Sequence, residues 1–416
     1  MTCTTKAGAW ACTAVSTFAT AHLSGLLLAA IFVRGRRPPA PRDDVSLAVV
    51  IPAHEEEAHV RGAVRSVQAA TYPSEKLRVI VVADNCSDRT AAVARAAGAE
   101  VWERVDPLHH GKGYALDWVF TRLAEDERIE AICVVDADCE ISENLLSAVA
   151  ARVRAGADAL QVPYLISNPE ASAAAALRWA GFALYNVLRP LGRYRLGLSS
   201  GLLGTGMAMS CRLLVRSPWR AFSFAEDREQ HMRWALDGVR VDFVPEAQVR
   251  APAPRTPSGA RTQSARWDSG RATLAACLTP RLLARWLRTR ERAALDAALE
   301  PLLPPQSVLL ATTLLAIATS RHAGTRPLVR AAAGAIVAQV AYVVGGLAAV
   351  GAPPSVWRAL VGAPRFVAGR LLGLSAMFAR RGPTHWERTE RGGRGSAEHQ
   401  PSDFTIKGWA SCASSS

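Results

Sequence analysis

The sequence predicts an α/β fold with a mostly parallel sheet, carried at a membrane by flanking transmembrane helices. Three observations lead there. From residue 45 onward, short β-branched runs alternate with Ala-rich, charge-bearing stretches, the pattern of βαβ units. The stretch Ala131-Ile-Cys-Val-Val-Asp-Ala-Asp138 ends an apolar run in two carboxylates one residue apart. Residues 132–135 have no polar side chain to place, so they read as a strand buried on both faces. Finally, residues 7–33 hold no Asp, Glu, Lys or Arg, a length sufficient to span a bilayer.

Taken in order, residues 7–33 are followed by Arg34, Arg36 and Arg37 and then by Pro38, Pro39 and Pro41. The apolar part is too long for a usual signal core, and the basic residues follow rather than precede it. It therefore reads as a retained anchor whose carboxyl end faces the cytoplasm. Strands are expected at 47–51, 79–83, near 100–102 and at 132–135, with helices at 56–70, from Thr90 and from Tyr114. A further strand is expected over 159–164. A less regular half follows, with a helix around 222–237, a strand at 241–244, a loop over 250–262 and a basic helix over 282–299 lying along the membrane surface. The domain boundaries drawn on this reading are 45–300. Two transmembrane helices within 302–357, an interfacial helix at 358–379 and a disordered cytoplasmic tail at 380–416 complete the chain.

Composition narrows the function. The charge balance of 49 − 36 = +13 is nearly all Arg, and the Arg clusters flank apolar stretches, which points to anionic lipid. No nucleic-acid module or aromatic-basic groove is legible, so nucleic acid is not an expected partner. Eight Cys with no C-x-x-C pair give neither a zinc site nor a disulfide framework.

Chemistry gathers at strand ends. In open α/β sheets ligands bind at the carboxyl ends of the strands. Asp136 and Asp138 stand there, and two hard oxygen ligands suit Mg²⁺ or Mn²⁺ with substrate phosphates. The first strand runs into Ile51-Pro-Ala-His-Glu-Glu-Glu57 and the second into Val82-Ala-Asp-Asn-Cys-Ser-Asp-Arg-Thr90. Asp84 can accept a hydrogen bond from a base edge or ribose, whereas Asp88 and Glu55–Glu57 are equally what a helix start favours. In His109-His-Gly-Lys-Gly-Tyr114, Lys112 lies between two glycines and can approach a diphosphate. Gly201-Leu-Leu-Gly-Thr-Gly206 does not match the dinucleotide fingerprint. Glu226-Asp227 opens a helix, either as an ordinary first-turn pair or as a carboxylate kept ready for a proton. Gln263-Ser-Ala-Arg-Trp267 places an amide, a cation and an indole on one helical turn.

Together and in this order, these segments resemble the membrane-anchored family 2 glycosyltransferases of GT-A fold, the group of the cellulose, hyaluronan and poly-N-acetylglucosamine synthases. The resemblance covers roughly residues 45–300, the flanking membrane segments and Trp386-Glu-Arg-Thr-Glu-Arg391. It implies that Pro52, Ala53, Glu55, Glu56 and Asp84 line a uridine pocket with Lys112 near the nucleotide. It implies a divalent metal, Mg²⁺ or Mn²⁺, on Asp136 and Asp138. The acidic pair Glu226 and Asp227 would supply the base, Asp227. Gln263, Arg266 and Trp267 would lie at the acceptor and diphosphate. Glu55 departs from the pattern, which usually has Asn there. The implied activity is inverting transfer from a nucleotide sugar, a UDP-sugar, to a polysaccharide or glycan at the inner (plasma) membrane. Single addition to a lipid acceptor and a catalytically inactive nucleotide-binding scaffold are the alternatives. With three spans in sight, a second copy or an export partner is the natural source of the further helices a polymer channel needs.

Overall fold

The computed structural model describes residues 3–35, 37–253, 257–365 and 367–369, excepting the side chains of 3–5, 257–269, 271 and 272. The chain begins with α1 (Cys3–Phe32) and then alternates. The elements are β1 (Leu47–Ala53), α2 (Val60–Gln68), β2 (Leu77–Asp84), α3 (Thr90–Ala96), β3 (Glu100–Arg104), α4 (Lys112–Ala124) and β4 (Ala131–Val134). After these come β5 (Glu140–Ile141), α5 (Leu145–Arg154), β6 (Ala159–Gln161), β7 (Tyr164–Ile166), α6 (Ala173–Phe182) and α7 (Arg189–Arg195). The unit closes with β8 (Met207–Ser210), α8 (Cys211–Arg216), α9 (Glu226–Leu236), β9 (Val241–Phe243), β10 (Val249–Ala251), α10 (Pro257–Thr289) and α11 (Arg292–Leu299). Finally come α12 (Gln306–His322), α13 (Arg326–Ala349) and α14 (Pro354–Ala359).

Seven strands form one sheet in the order β3-β2-β1-β4-β8-β6-β9, and β5, β10 and β7 form a second. β1, β2, β3 and β4 run parallel, while β8 runs antiparallel to both β4 and β6. The sheet is apolar because helices cover both faces. On one side Val49, Ile51, Val81 and Cys133 pack with Val64, Leu146 and Val149. On the other Val50, Ile80, Val82, Ile132 and Val134 pack with Leu116, Phe120, Trp219 and Trp234.

Several expectations are corrected. The helix expected over 56–70 begins only at Val60. The backbone N–H groups of Glu56 and Glu57 donate to Thr90 and Asp88, so this stretch is a loop tied to its neighbour rather than a first turn. The strand expected over 159–164 is two strands in different sheets. Pro163 between them lacks the N–H that an unbroken ladder needs. The loop expected over 250–262 gives way to helix from Pro257, a residue preorganised for a first helical position. The basic helix expected on the membrane surface over 282–299 is instead the end of α10 together with α11. Leu282, Ala294 and Ala297 of this segment, with Leu274 and Leu278 before it, are buried against Met232 and Ala235 of α9.

Lys6–Phe32 and Arg326–Ala349 are the two described helices that are individually long and apolar enough to cross a membrane. At 1.5 Å per residue, each exceeds the roughly 30 Å of a hydrocarbon core. Trp10, Phe18, Phe32, Val337 and Val340 lie exposed on them, as lipid-facing residues do. The segment expected as a further span is shorter. α12 has 17 residues and passes the same test only with Arg292–Leu302, from which it is bent by 74°. The break falls at Pro304 and Pro305. The three helices nevertheless pack together, with the Gln339 amide donating to Thr20 at 3.1 Å and Thr313 at 2.8 Å. Of the expected interfacial helix, Pro354–Ala359 precedes a short 3₁₀ turn at Leu360–Gly362, and the rest of 358–379 lies largely outside the described residues, as does 380–416.

The α/β unit is seated on this bundle through α6, α7 and the turn between them. Leu184 and Leu188 pack with Leu23 and Leu27 of α1 and with Leu347 of α13. Gly192 permits the approach, since a Cβ there would stand 2.4 Å from the Leu26 carbonyl oxygen.

Candidate active site

Parallel pairing brings the acidic strand ends to one edge. Ala53 pairs with Ala83 and Val50 with Val134, so β1, β2 and β4 finish side by side. Pro52 and Ala53 close β1, and Glu55 follows with φ 56°, a left-handed backbone that Asn adopts far more readily than Glu. The Glu55 carboxylate accepts from the Ser87 backbone at 2.6 Å and its hydroxyl at 2.9 Å. Glu56 Oε2 accepts from His59 Nδ1 at 2.9 Å. Glu55 thus fastens the β1 loop to the β2 loop. Asp88 does likewise, accepting from Glu57 N at 3.1 Å and Thr90 N at 2.9 Å.

Asp84 is buried at the end of β2. Its Oδ1 accepts from Arg104 Nη1 at 2.6 Å and Asn85 Nδ2 at 3.1 Å. Burial pushes its carboxyl up, and the Arg104 guanidinium opposes that rise. Arg104 also reaches the His109 carbonyl at 3.0 Å and Asp106 at 2.9 Å, which anchors the loop entering α4.

Lys112 is the first residue of α4. Its Nζ donates to Asp136 Oδ1 at 2.5 Å and to the Gly204 carbonyl at 2.7 Å, with Glu226 Oε1 3.9 Å away. Burial works to depress the ammonium, but Asp136, then Glu226 and Asp227, outweigh it and hold its pKa above that of an ordinary lysine. The next residue has to be Gly, because a Cβ on Gly113 would sit 2.1 Å from the Ala221 carbonyl oxygen. That close approach, with Tyr114 stacked on Phe222 at 4.6 Å, brings the segment before α9 over α4.

Glu226 and Asp227 thereby open α9 across the cleft from Asp136. Ionised acids there are favoured by the helix dipole. Burial works the other way and dominates. It pushes Glu226 up to about 7, against Lys112, and raises Asp227, against the neighbouring Arg228. Asp227 Oδ1 accepts from the Arg228 backbone at 2.7 Å, and its Oδ2 lies 3.5 Å from where a Cβ on Gly204 would be. The buried Glu229, one turn on, accepts from Phe222 N and Ser223 N at 3.1 and 3.0 Å and so fixes the loop leading into α9.

Asp136, Asp138 and Cys139 each offer an atom within 4.8 Å of the others. The donor set fits a hard divalent cation through its two carboxylates. The Cys139 thiol is engaged instead, donating to Asp138 Oδ1 and accepting from the Thr205 hydroxyl, both at 3.6 Å. Thr205 Oγ1 in turn accepts from the Asp136 backbone at 3.1 Å.

Sequence reasoning missed the part played by Gly204 and Thr205. The antiparallel return of β8 beside β4 brings this loop to the metal edge, with Gly206 N donating to Val134 O at 2.8 Å. Buried Gln161 holds it by accepting from Leu203 N at 2.9 Å and donating to Thr205 O at 2.8 Å. The glycine run was the available signal. Gln263, Arg266 and Trp267 fall on α10, but their side chains lie outside the described residues, and they are not placed relative to the cleft.

Residues 41–270, more than half of the chain, match the family model described as Glycosyltransferase like family 2. Among curated proteins the chain is similar to the probable glycosyltransferase YdaM of Bacillus subtilis (strain 168), 36% identical over 102 residues, 22% of this chain and 22% of that protein. It is also similar to the low-salt glycan biosynthesis hexosyltransferase Agl6 of Haloferax volcanii, 33% identical over 111 residues, 27% of this chain and 25% of that protein. The matches thus span about a quarter of the length of these relatives. Among solved structures, the mannosyltransferase PcManGT from Pyrobaculum calidifontis, in complex with GDP-Man and Mn2+, superposes with a TM-score of 0.54. The identity is 18% over 83% of this chain and 98% of that one, a likeness of fold.

Proposed function

Since the chain belongs to glycosyltransferase family 2 and has the GT-A fold, we propose that it transfers a sugar, with inversion, from a nucleoside diphosphate sugar to a glycan acceptor at the membrane. The observation that supports this reading is the convergence of Asp136, Glu226 and Asp227 around Lys112 and Gly204 at the sheet's edge.

Asp136 and Asp138 would hold Mg²⁺ or Mn²⁺, which when bound neutralises charge on a leaving diphosphate. Lys112, at the amino end of α4, would turn its ammonium from Asp136 toward the same phosphates. The strand-end pocket of Pro52, Ala53, Glu55, Glu56 and Asp84 would take the base and ribose, read as uridine from the sequence resemblance. Asp227 would accept the acceptor hydroxyl's proton as that oxygen attacks the anomeric carbon from the face opposite the diphosphate. A carboxyl raised by burial is the stronger base for it. Gln263, Arg266 and Trp267 are assigned to the acceptor side on the resemblance alone. Arg34 and Arg37, just past α1, support a cytoplasmic catalytic unit at a bacterial inner membrane.

A second reading, single addition to a lipid-borne acceptor, is favoured by the helices among the described residues. The two spans and one bent pair found there offer little with which to enclose a growing polymer.

The test is the Asp227→Asn variant of the full chain, assayed for nucleoside diphosphate release from a panel of UDP- and GDP-sugars. Turnover should fall by about 10²–10⁴-fold, with UDP or GDP binding unchanged. Undiminished turnover would remove Asp227 from the base role, and turnover on no donor would remove the activity.

A further inference from the structure

The carboxylate read as the base stands at a helix start that its own cap does not secure. The N-cap residue of α9, Ala225, offers no side-chain acceptor. Beside Glu229, which fixes the preceding loop, the residue after Asp227 restrains this turn. Arg228 gives its backbone N–H to Asp227, and its guanidinium donates to the Tyr185 hydroxyl at 2.5 Å. Tyr185 donates in turn to Glu300 Oε1 at 3.0 Å. The other oxygen of Glu300 pairs with Arg193 Nη1 at 3.1 Å. Arg193 Nε donates to Asp296 at 2.7 Å, and His22 of α1 stands 3.8 Å from that carboxylate. A branch leaves the Tyr185 ring, which carries the Arg189 guanidinium at 4.8 Å. Arg189 Nε donates to the Tyr342 hydroxyl of α13 at 3.2 Å. A continuous polar path therefore joins the first turn of α9 to the membrane helices.

Two further features mark the path. Tyr185 lies in a π-helical stretch, Ala183–Leu188, between α6 and α7, and such wide turns occur frequently at functional sites. The path is also buried, with the Arg193 side chain 2% and that of Asp296 6% exposed. Burying ion pairs is a poor route to stability compared with apolar packing, so their presence calls for another reason.

We infer that Tyr185, braced by Glu300, is a positioning residue for Asp227, fixing the first turn of α9 against the membrane bundle. This rests on the reading of Asp227 as the base. The Tyr185 hydroxyl draws the Arg228 guanidinium toward Glu300. Without it, the guanidinium loses one of its anchors, and the first turn of α9 that carries Asp227 is less firmly placed.

Tyr185→Phe is a narrow test, because the ring and its contact with Arg189 remain. The full chain in detergent would be assayed for nucleoside diphosphate release with UDP- and GDP-sugars as probes, beside Asp227→Asn, Glu300→Gln and Glu300→Ala. The expected result is a kcat about 10-fold lower in Tyr185→Phe, since small misplacements of reacting groups carry losses of that order or more. Donor KM and melting temperature should stay at wild-type values. Glu300→Gln, which keeps an acceptor for the Tyr185 hydroxyl, should retain more activity than Glu300→Ala. Wild-type kcat in Tyr185→Phe, with Asp227→Asn inactive, would overturn the positioning role alone. A kcat loss matched by a lower melting temperature or a raised donor KM would overturn it too, leaving Tyr185 a structural residue. An active Asp227→Asn would overturn both this role and the base assignment.

Discussion

Glu226→Gln should stabilise the metal-free protein at pH 8, and progressively less as the pH falls. Burial pushes the Glu226 carboxyl up from 4.5 to about 7, with Lys112 opposing and Asp227 assisting. The folded state therefore binds this proton more tightly than the unfolded chain does. The corresponding stability is complete below pH 4.5 and is lost as the pH rises through about 7. At pH 8 the ionised side chain, only 14% exposed, is a charge the fold would rather not hold. The shift corresponds to about 3 kcal/mol at 1.36 kcal/mol per pKa unit. For a unit of this size that is roughly 6–12 °C in melting temperature. Gln keeps the volume and removes the charge. Calorimetry in detergent with EDTA, at half-unit steps from pH 5 to 8.5, would give the difference between variant and wild type. The difference should be largest at pH 8 and fall to about a quarter of that near pH 5. An offset independent of pH, or a less stable variant at pH 8, would refute the argument that burial dominates this carboxyl.

Two other perturbations follow from the same cleft. Gly113→Ala puts a methyl 2.1 Å from the Ala221 carbonyl oxygen, and overpacking of that kind costs about 1–3 kcal/mol, so its melting temperature should fall and its donor affinity with it. Asp84→Asn removes one of the two carboxylates paired with Arg104, whose side chain is 6% exposed. Asp106 still holds the guanidinium, so the cost should fall below the roughly 3–5 kcal/mol of stranding a buried charge, and UDP or GDP titrations should show weaker binding as well.

Much of the sheet was legible because its strands carry a signal of their own. An apolar run such as 132–135, ending in Asp136 and Asp138, has few alternatives to a buried strand with its acids at the sheet's edge. Parallel pairing then brings Asp84 and the β1 loop to the same edge. Glu55 to Glu57 misled because acids before an apolar stretch look like a helix start. Their hydrogen bonds go to residues 87–90, a partner no local pattern names. The φ of 56° at Glu55 gives a physical reason for the Asn usual in the resembling family.

What could not be read were contacts between segments far apart in the chain. Lys112 meets Gly204 across 92 positions and Tyr185 meets Glu300 across 115. Gly204 contributes a carbonyl, which every residue has, so the glycine run marked the loop but not this contact. The third apolar segment differs for another reason. Pro304 and Pro305 set α12 at 74° to Arg292–Leu302, and the two make a third span only if the bent pair is taken as one.

The most direct measurement of the central claim is nucleoside diphosphate release by the purified full chain from UDP- and GDP-sugars, with Mn²⁺ or with EDTA, beside an Asp138→Ala variant. The account predicts release that requires the metal and falls to background in the variant. Release undiminished by EDTA and by loss of Asp138 would contradict it.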